Sequence, residues 1–241
     1  MKKIKKALIS VSDKKNLKKL LKILTKYKIQ LISSGGTYKE IKKLKFKCLE
    51  VSEYTGFPEM LGGRVKTLHP KIHAGILSKR DNKFHTRDLK KNNFEEIDLV
   101  IVNFYPFEKT LEKTNNHLKI IENIDVGGPT MVRAAAKNYN DVAVITSSNQ
   151  YDELIKEIKK NNGSTSLNFR EKMSLEAFSE TAYYDAVISN YFNKIKKNKF
   201  PKKKIIYGNL IEKLRYGENP HQEAGIYSKT QRLNIKQIHG K

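Results

Sequence analysis

Several stretches of this sequence carry residue types suited to holding and transforming an anionic ligand. In Ser34-Gly35-Gly36-Thr37 the glycines let successive backbone N–H groups turn toward an anion, and a helix opening there adds positive potential. Ser12 and Lys14 follow the apolar run Ala7 to Val11 and reach the same place if the two runs are neighbouring parallel strands. Together these residues predict a phosphate site. Neither a GxGxxG fingerprint nor a Walker A loop is present, so a dinucleotide or ATP is not implied. Arg64, Lys66 and Thr67 lie in a connection punctuated by Gly56, Pro58, Gly62, Gly63 and Pro70. Such a loop is either a solvated basic segment or one that folds over a ligand. A lysine held beside a reacting carbonyl in a dry site stabilises developing oxyanion charge. Asn103 and Tyr105 follow the strongest apolar run, Ile97 to Phe104. Asp125 precedes Gly127-Gly128, where helix capping alone would explain it, and Lys137 ends a small-residue helix, where it suits the helix dipole. His69 and His73 are four apart, but without an HExxH pattern, a nearby cysteine or a third histidine they read as structural, so no metal is expected.

These residues need a scaffold, and the hydrophobic pattern supplies one. Ala7 to Val11, Ile29 to Ser33 and Lys47 to Val51 read as strands. Between the first two, Leu17, Leu20, Leu21 and Leu24 mark one helix face, with Ser12 or Asp13 as its cap. A second helix runs from the glycine turn to about Leu44. Ile97 to Phe104 is apolar at nearly every position, as a central parallel strand should be, and Asp141 to Thr146 is a further strand. Helices are expected over Thr130 to Lys137, Tyr151 to Lys160 and Leu167 to Lys196. The alternation predicts an α/β fold with a mostly parallel sheet and helices on both faces. Residues 196–208 read as a basic linker. Beyond it, 209–241 hold one helix or strand and too little apolar material for a core of their own, so that stretch is expected to be poorly ordered.

The chain has 241 residues and a formal charge of +23. Only seven of its 48 basic residues are arginine, and the lysines are spread throughout; a nucleic-acid reader favours arginine forks. The charge is therefore read as a solvated lysine coat, with no specific nucleic acid as partner. No apolar run approaches the roughly 20 residues that span a bilayer. Ala7 to Val11 is too short for a signal peptide, so a cytoplasmic protein without membrane contact is expected. The lone Cys48 cannot form an internal disulfide and reads as a small buried hydrophobe.

Eight segments in order carry a resemblance. They are Ile9-Ser10-Val11-Ser12-Asp13-Lys14, Ser34 to Thr37, Tyr54 to Met60, Gly63-Arg64-Val65-Lys66-Thr67-Leu68-His69-Pro70, Asn103 to Phe107, Asn123 to Thr130, Arg133 to Asn138, and Arg215-Tyr216-Gly217-Glu218-Asn219-Pro220-His221-Gln222. The chain resembles the bifunctional purine-biosynthesis family that formylates aminoimidazole carboxamide ribotide and closes the ring to inosine monophosphate. The resemblance implies a methylglyoxal-synthase-like three-layer cyclohydrolase domain over 1–195, the linker, and at 209–241 the start of the transformylase domain. It implies a ribotide substrate, no cofactor for ring closure, and 10-formyltetrahydrofolate only for formyl transfer by the full-length enzyme. It lifts Lys66, Tyr105, Asp125 and Lys137 to catalytic candidates, with Lys137 as the expected proton carrier. Ser12, Lys14, Ser34, Gly35, Gly36 and Thr37 would hold phosphate and ribose, and Arg64, Thr67, Asn103, Gly127 and Gly128 would position the substrate. Arg215, Tyr216, Asn219 and His221 would belong to the second domain's ribotide site. Full-length relatives are homodimers that join chiefly through their transformylase halves. With most of that half absent, neither formyl transfer nor a dimer is expected of this chain.

Three other readings predict different behaviour. A methylglyoxal-synthase-like phosphate lyase would act on dihydroxyacetone phosphate, and a regulatory domain of the same fold would bind inosine monophosphate without turnover. An RNA module would bind at physiological salt, but it lacks basic motifs interleaved with aromatics.

Overall fold

A computed structural model of the chain describes residues 1–229. It divides into two compact units, Met1–Thr181 and a second that begins at Ala182.

In the first unit, the elements follow in the order β1 (Lys2–Lys3), β2 (Lys6–Val11), α1 (Leu17–Lys26), β3 (Gln30–Ser33), α2 (Gly35–Lys43), β4 (Leu49–Glu50), α3 (Val51–Thr55), α4 (Pro70–Leu77), α5 (Lys83–Lys91), β5 (Leu99–Asn103), α6 (Phe107–Lys113), α7 (His117–Glu122), α8 (Gly127–Lys137), β6 (Ala143–Ile145), α9 (Tyr151–Lys160) and β7 (Ser164–Thr165). The last helix, α10 (Leu167–Ile195), runs past the division between the units. Five strands form an all-parallel sheet in the order β4-β3-β2-β5-β6, and β1 pairs antiparallel with β7 apart from it. The chain winds from β2 outward through β3 to β4, then returns to the other side of β2 for β5 and β6. Right-handed crossovers in opposite directions put α1 and α8 on opposite faces of the sheet. Accordingly α1 packs with α9, while α4 packs with α8.

The core follows from the apolar runs. Leu8, Ile9, Ile32, Val100 and Ile145 are fully buried, as strands covered on both faces require. Leu17, Leu20, Leu21 and Leu24 of α1 are buried as their spacing predicts. The cap of α1 differs from expectation. Asn16, in the left-handed region at φ 59°, precedes the helix, with no capping side chain. Ser12 and Asp13 are occupied elsewhere: Ser12 donates to the Phe104 carbonyl at 2.8 Å, and Asp13 accepts from the Lys15 amide and the Ser148 hydroxyl. The third strand is also shorter than expected, because Val51 already begins α3.

Helix α4 docks backbone against backbone. The Gly75 carbonyl accepts from Ile97 N–H at 3.0 Å, and a Cβ on Gly75 would stand 2.5 Å from the Glu95 carbonyl oxygen. Alanine is the better helix former, so the clash alone decides the sign. Gly75→Ala is expected to cost about 1–3 kcal/mol as overpacking, read as a lower urea midpoint with an unchanged slope.

The second unit holds β8 (Asn209–Leu214) and β9 (Ala224–Ser228), an antiparallel hairpin. Two strands thus stand where the sequence suggested a single element. The two units divide at Thr181, inside α10. The cause is local: Tyr183 meets Tyr207 edge-on at 5.1 Å and accepts from Asn209, and Asn190 donates to the Ile205 carbonyl. The expected transformylase start runs on into 230–241, which lie outside the described residues. Among the described residues no helix is long and apolar enough to cross a membrane.

Candidate functional site

Strand order reverses between β2 and β5, and at the carboxyl ends of these strands a cleft of about 720 Å³ opens. This is where an open α/β sheet binds its ligand. Every first-unit residue named as a catalytic or substrate-binding candidate from the sequence lines it, except Lys137. Two helices aim their N-termini into it. Ser34, Gly35, Gly36 and Thr37 form the start of α2, with Ser34 extended at the N-cap and no side chain capping the helix. Gly127 and Gly128 open α8 on the other wall. First-turn N–H groups have no partner within their own helix, so two such ends facing one cleft make it electropositive before any side chain is counted. Gly35 has φ +53°, a left-handed conformation that glycine adopts freely.

Two expected ligand-holding side chains turn out to be braces. The Thr37 hydroxyl is buried and exchanges hydrogen bonds with Val11, accepting from its N–H and donating to its carbonyl, both at 2.9 Å. It ties α2 to β2 and leaves the backbone at this turn to meet an anion. Asn103 accepts at Oδ1 from Ser12 N–H at 2.6 Å and Asp13 N–H at 3.0 Å, and its Nδ2 donates to the Asp13 carbonyl. It fixes the loop after β2 rather than reaching freely for a carboxamide. Lys14 is exposed, its ammonium 3.4 Å from the Ser12 carbonyl.

The connection after α3 makes the cleft's third wall. Lys66 forms an ion pair with Glu59 at 2.9 Å, and Arg64 pairs with Glu122 at the end of α7. Thr67 is buried, and a Cβ on Gly127 would stand 2.8 Å from its hydroxyl, so this connection touches the start of α8. Asp125 accepts from the Gly128 amide at 2.9 Å and from the Tyr105 amide. Burial nevertheless pushes its carboxyl above the ordinary aspartate range, outweighing those two donors. Tyr105 is half exposed at the mouth. The cleft therefore brings a cation, a carboxyl of raised proton affinity and a phenol around an anion cradle.

Lys137 is not among them. It is exposed at the C-terminal end of α8, while the helix's N-terminal end forms the cleft wall. Ten residues of helix at about 1.5 Å each separate the two ends by roughly 15 Å. Spacing along the sequence, short between Asp125 and Lys137, does not bring them together. Arg215, Tyr216, Asn219 and His221 lie in the connection between β8 and β9, where Asn219 N–H donates to the Gln222 side chain. His69 N-caps α4, accepting from Lys71 N–H, and burial pushes the His73 imidazole below its usual value. Among the described residues no group of three or more His, Cys, Asp or Glu could hold a metal ion. Burial pushes the Cys48 thiol up to about 12.

Sequence reasoning missed Glu59 and Glu122. Each is a lone acid in a loop or helix end, and only the folded loop reveals its basic partner.

The fold agrees with comparisons to known proteins. The family model "MGS-like domain" matches residues 16–130, and the "AICARFT/IMPCHase bienzyme" model matches residues 135–241. The bifunctional purine biosynthesis protein PurH of Bradyrhizobium diazoefficiens is 48% identical over 225 residues, covering 93% of this chain and 42% of the relative. The protein of the same name from Elusimicrobium minutum is 45% identical over 241 residues, covering 99% and 47%. The crystal structure of ForH superposes with a TM-score of 0.70 at 29% identity, covering 78% of this chain and 99% of that one. The chain thus spans about half the length of the curated relatives it matches. With the two models in tandem along most of its length, and the parallel sheet and cleft of the first unit beneath them, the chain belongs to the family of bifunctional purine biosynthesis proteins.

Proposed function

We propose that the cleft closes the second ring of the purine, converting 5-formamidoimidazole-4-carboxamide ribotide to inosine monophosphate and water, in the cytoplasm and without a cofactor. The observation that carries this reading is one cleft in which two helix N-termini, the Lys66 ammonium and a carboxyl of raised proton affinity converge. The helix ends suit the ribotide phosphate. In the first step the carboxamide nitrogen bonds to the formyl carbon and loses a proton, while the formyl oxygen gains one. In the second the hydroxyl leaves as water with another proton, and the ring nitrogen on the imidazole side loses its proton as the C=N bond forms. Protons and electrons balance without a redox partner. Lys66 faces the charge that builds on the formyl oxygen, Asp125 accepts the carboxamide proton, and Tyr105 donates to the departing hydroxyl. Holding both reacting groups face to face supplies much of the rate.

Residues 1–195 are proposed as the cyclohydrolase domain, 196–208 as its linker and 209 onward as the start of a transformylase domain. Formyl transfer from 10-formyltetrahydrofolate, with Arg215, Tyr216, Asn219 and His221 at a second ribotide site, and homodimer formation are assigned to the longer relatives. The direct test is to add the formylated ribotide to the 241-residue chain, without folate or metal, and to follow inosine monophosphate by ultraviolet absorbance. Turnover is the expected result, and a folded chain that produces none would sink the reading. Lys137→Ala separates two assignments in the same assay. Retained kcat is what the geometry favours, and a lost kcat would put this lysine into proton transfer.

A further inference from the structure

We propose that Glu59 is a positioning residue whose carboxylate holds the Lys66 ammonium at the glycine turn of α2. The inference rests on the reading of the cleft as a ring-closing site and adds to it a residue outside the reacting groups. Its basis is the register of a small hairpin. Met60 and Val65 exchange two backbone hydrogen bonds, Met60 N–H to Val65 O at 3.1 Å and Val65 N–H to Met60 O at 3.3 Å. Residues 59 and 66 flank that bridged pair, so their side chains leave the hairpin together. The Glu59 carboxylate meets the Lys66 ammonium at 2.9 Å, and the ammonium lies 3.2 Å from where a Cβ of Gly35 would stand. The pair passes over Gly63, whose missing Cβ would otherwise sit 2.4 Å from the Glu59 carboxylate and 2.6 Å from Lys66 Cε.

An unrestrained lysine samples many rotamers, and one held in place loses that freedom before the ligand arrives. Lys66 has 29% of its side chain exposed and Glu59 44%, so the pair is half in water and contributes little to global stability. Its effect belongs to geometry. Glu59 touches no reacting atom in this scheme and acts only through Lys66.

The test uses the whole chain and two readouts. One is the steady-state kinetics of ring closure. The other is the rate at which Lys66 is acylated by an N-hydroxysuccinimide ester, measured by peptide mass spectrometry against the remaining lysines. Glu59→Gln is expected to lower kcat about ten- to a hundredfold with KM within about twofold. Lys66 labelling should rise severalfold, and the melting temperature should stay within about 2 °C. Glu59→Asp should recover part of kcat. Glu59→Gln should cost nothing further in a Lys66→Ala background, because the carboxylate then has nothing to hold. Unchanged labelling of Lys66 overturns the proposal, as does unchanged kcat with altered labelling. A wild-type chain that folds but does not turn over sinks the ring-closing reading instead. In that case the labelling alone decides whether Glu59 anchors Lys66.

Discussion

Asp125→Asn is expected to lower kcat about 10²- to 10⁴-fold, the span over which a positioned acid–base group acts, with KM nearly unchanged. The substitution keeps size and an acceptor for the Gly128 amide, so the cleft wall should persist. What disappears is the proposed proton acceptor. Burial raises the Asp125 carboxyl above the ordinary range, and as a base it works ionised. Wild-type kcat should therefore fall as pH drops through that raised value, and the acid limb should lie above the usual aspartate range. The residual rate of the asparagine chain should lack this limb. Stability supplies a second sign. A carboxyl whose folded pKa is raised contributes most below its unfolded value, about 3.9, and loses that contribution as pH rises through the folded value. Asparagine never ionises. The difference in melting temperature between the two chains should shift in favour of asparagine as pH rises. A pH-independent difference would contradict the buried, raised carboxyl.

Much of the scaffold was legible because local pattern and tertiary role agree. The apolar runs gave β2, β3 and β5 to within a residue or two, and the leucines at 17, 20, 21 and 24 gave the buried face of α1. The turn at Ser34 to Thr37 was readable because glycines between a strand and a helix have few other uses. Residues 71–96 received no assignment, although Pro70 at the first position of α4 and Asn82 capping α5 are ordinary helix-start signals. The hairpin of β8 and β9 was missed because both strands are largely exposed and lack apolar alternation.

The lining of the cleft was legible in the sequence, and the partners its side chains take were not. Thr37 and Asn103 carry the right chemistry for a ligand, but both spend it on Val11 and on the Ser12–Asp13 loop. That diversion is a long-range fact: Asn103 meets Ser12 across 91 positions of sequence. Lys137 shows the converse. The resemblance put it beside Asp125 among the catalytic candidates, and the rigid length of α8 separates them. On the proposed reading of the cleft, phosphate recognition falls more to backbone N–H groups than to the hydroxyls named from the sequence.

Gly63→Ala carries that argument to its sharpest consequence. At φ +96° the residue already occupies a region that side chains rarely adopt, and its Cβ would strike both members of the Glu59–Lys66 pair. Either the hairpin at Met60 and Val65 opens or the ammonium leaves the Gly35 turn. A shift of about 1 Å in a group that stabilises developing charge costs on the order of 10²-fold in rate. We expect kcat for Gly63→Ala to fall by about that factor, as far as for removal of the lysine amine in Lys66→Ala. Global stability should change by only about 1 kcal/mol, because the hairpin lies outside the sheet core. Gly62→Ala is the matched control. Gly62 is also left-handed, at φ +62°, but nothing lies within 4 Å of its Cβ position, so that substitution strains the backbone without touching the pair. A large loss at Gly63 with a small one at Gly62 would show that ring closure in this cleft needs space above this one α-carbon. Equal losses would mean that hairpin conformation alone, and not the placement of Lys66, sets the rate.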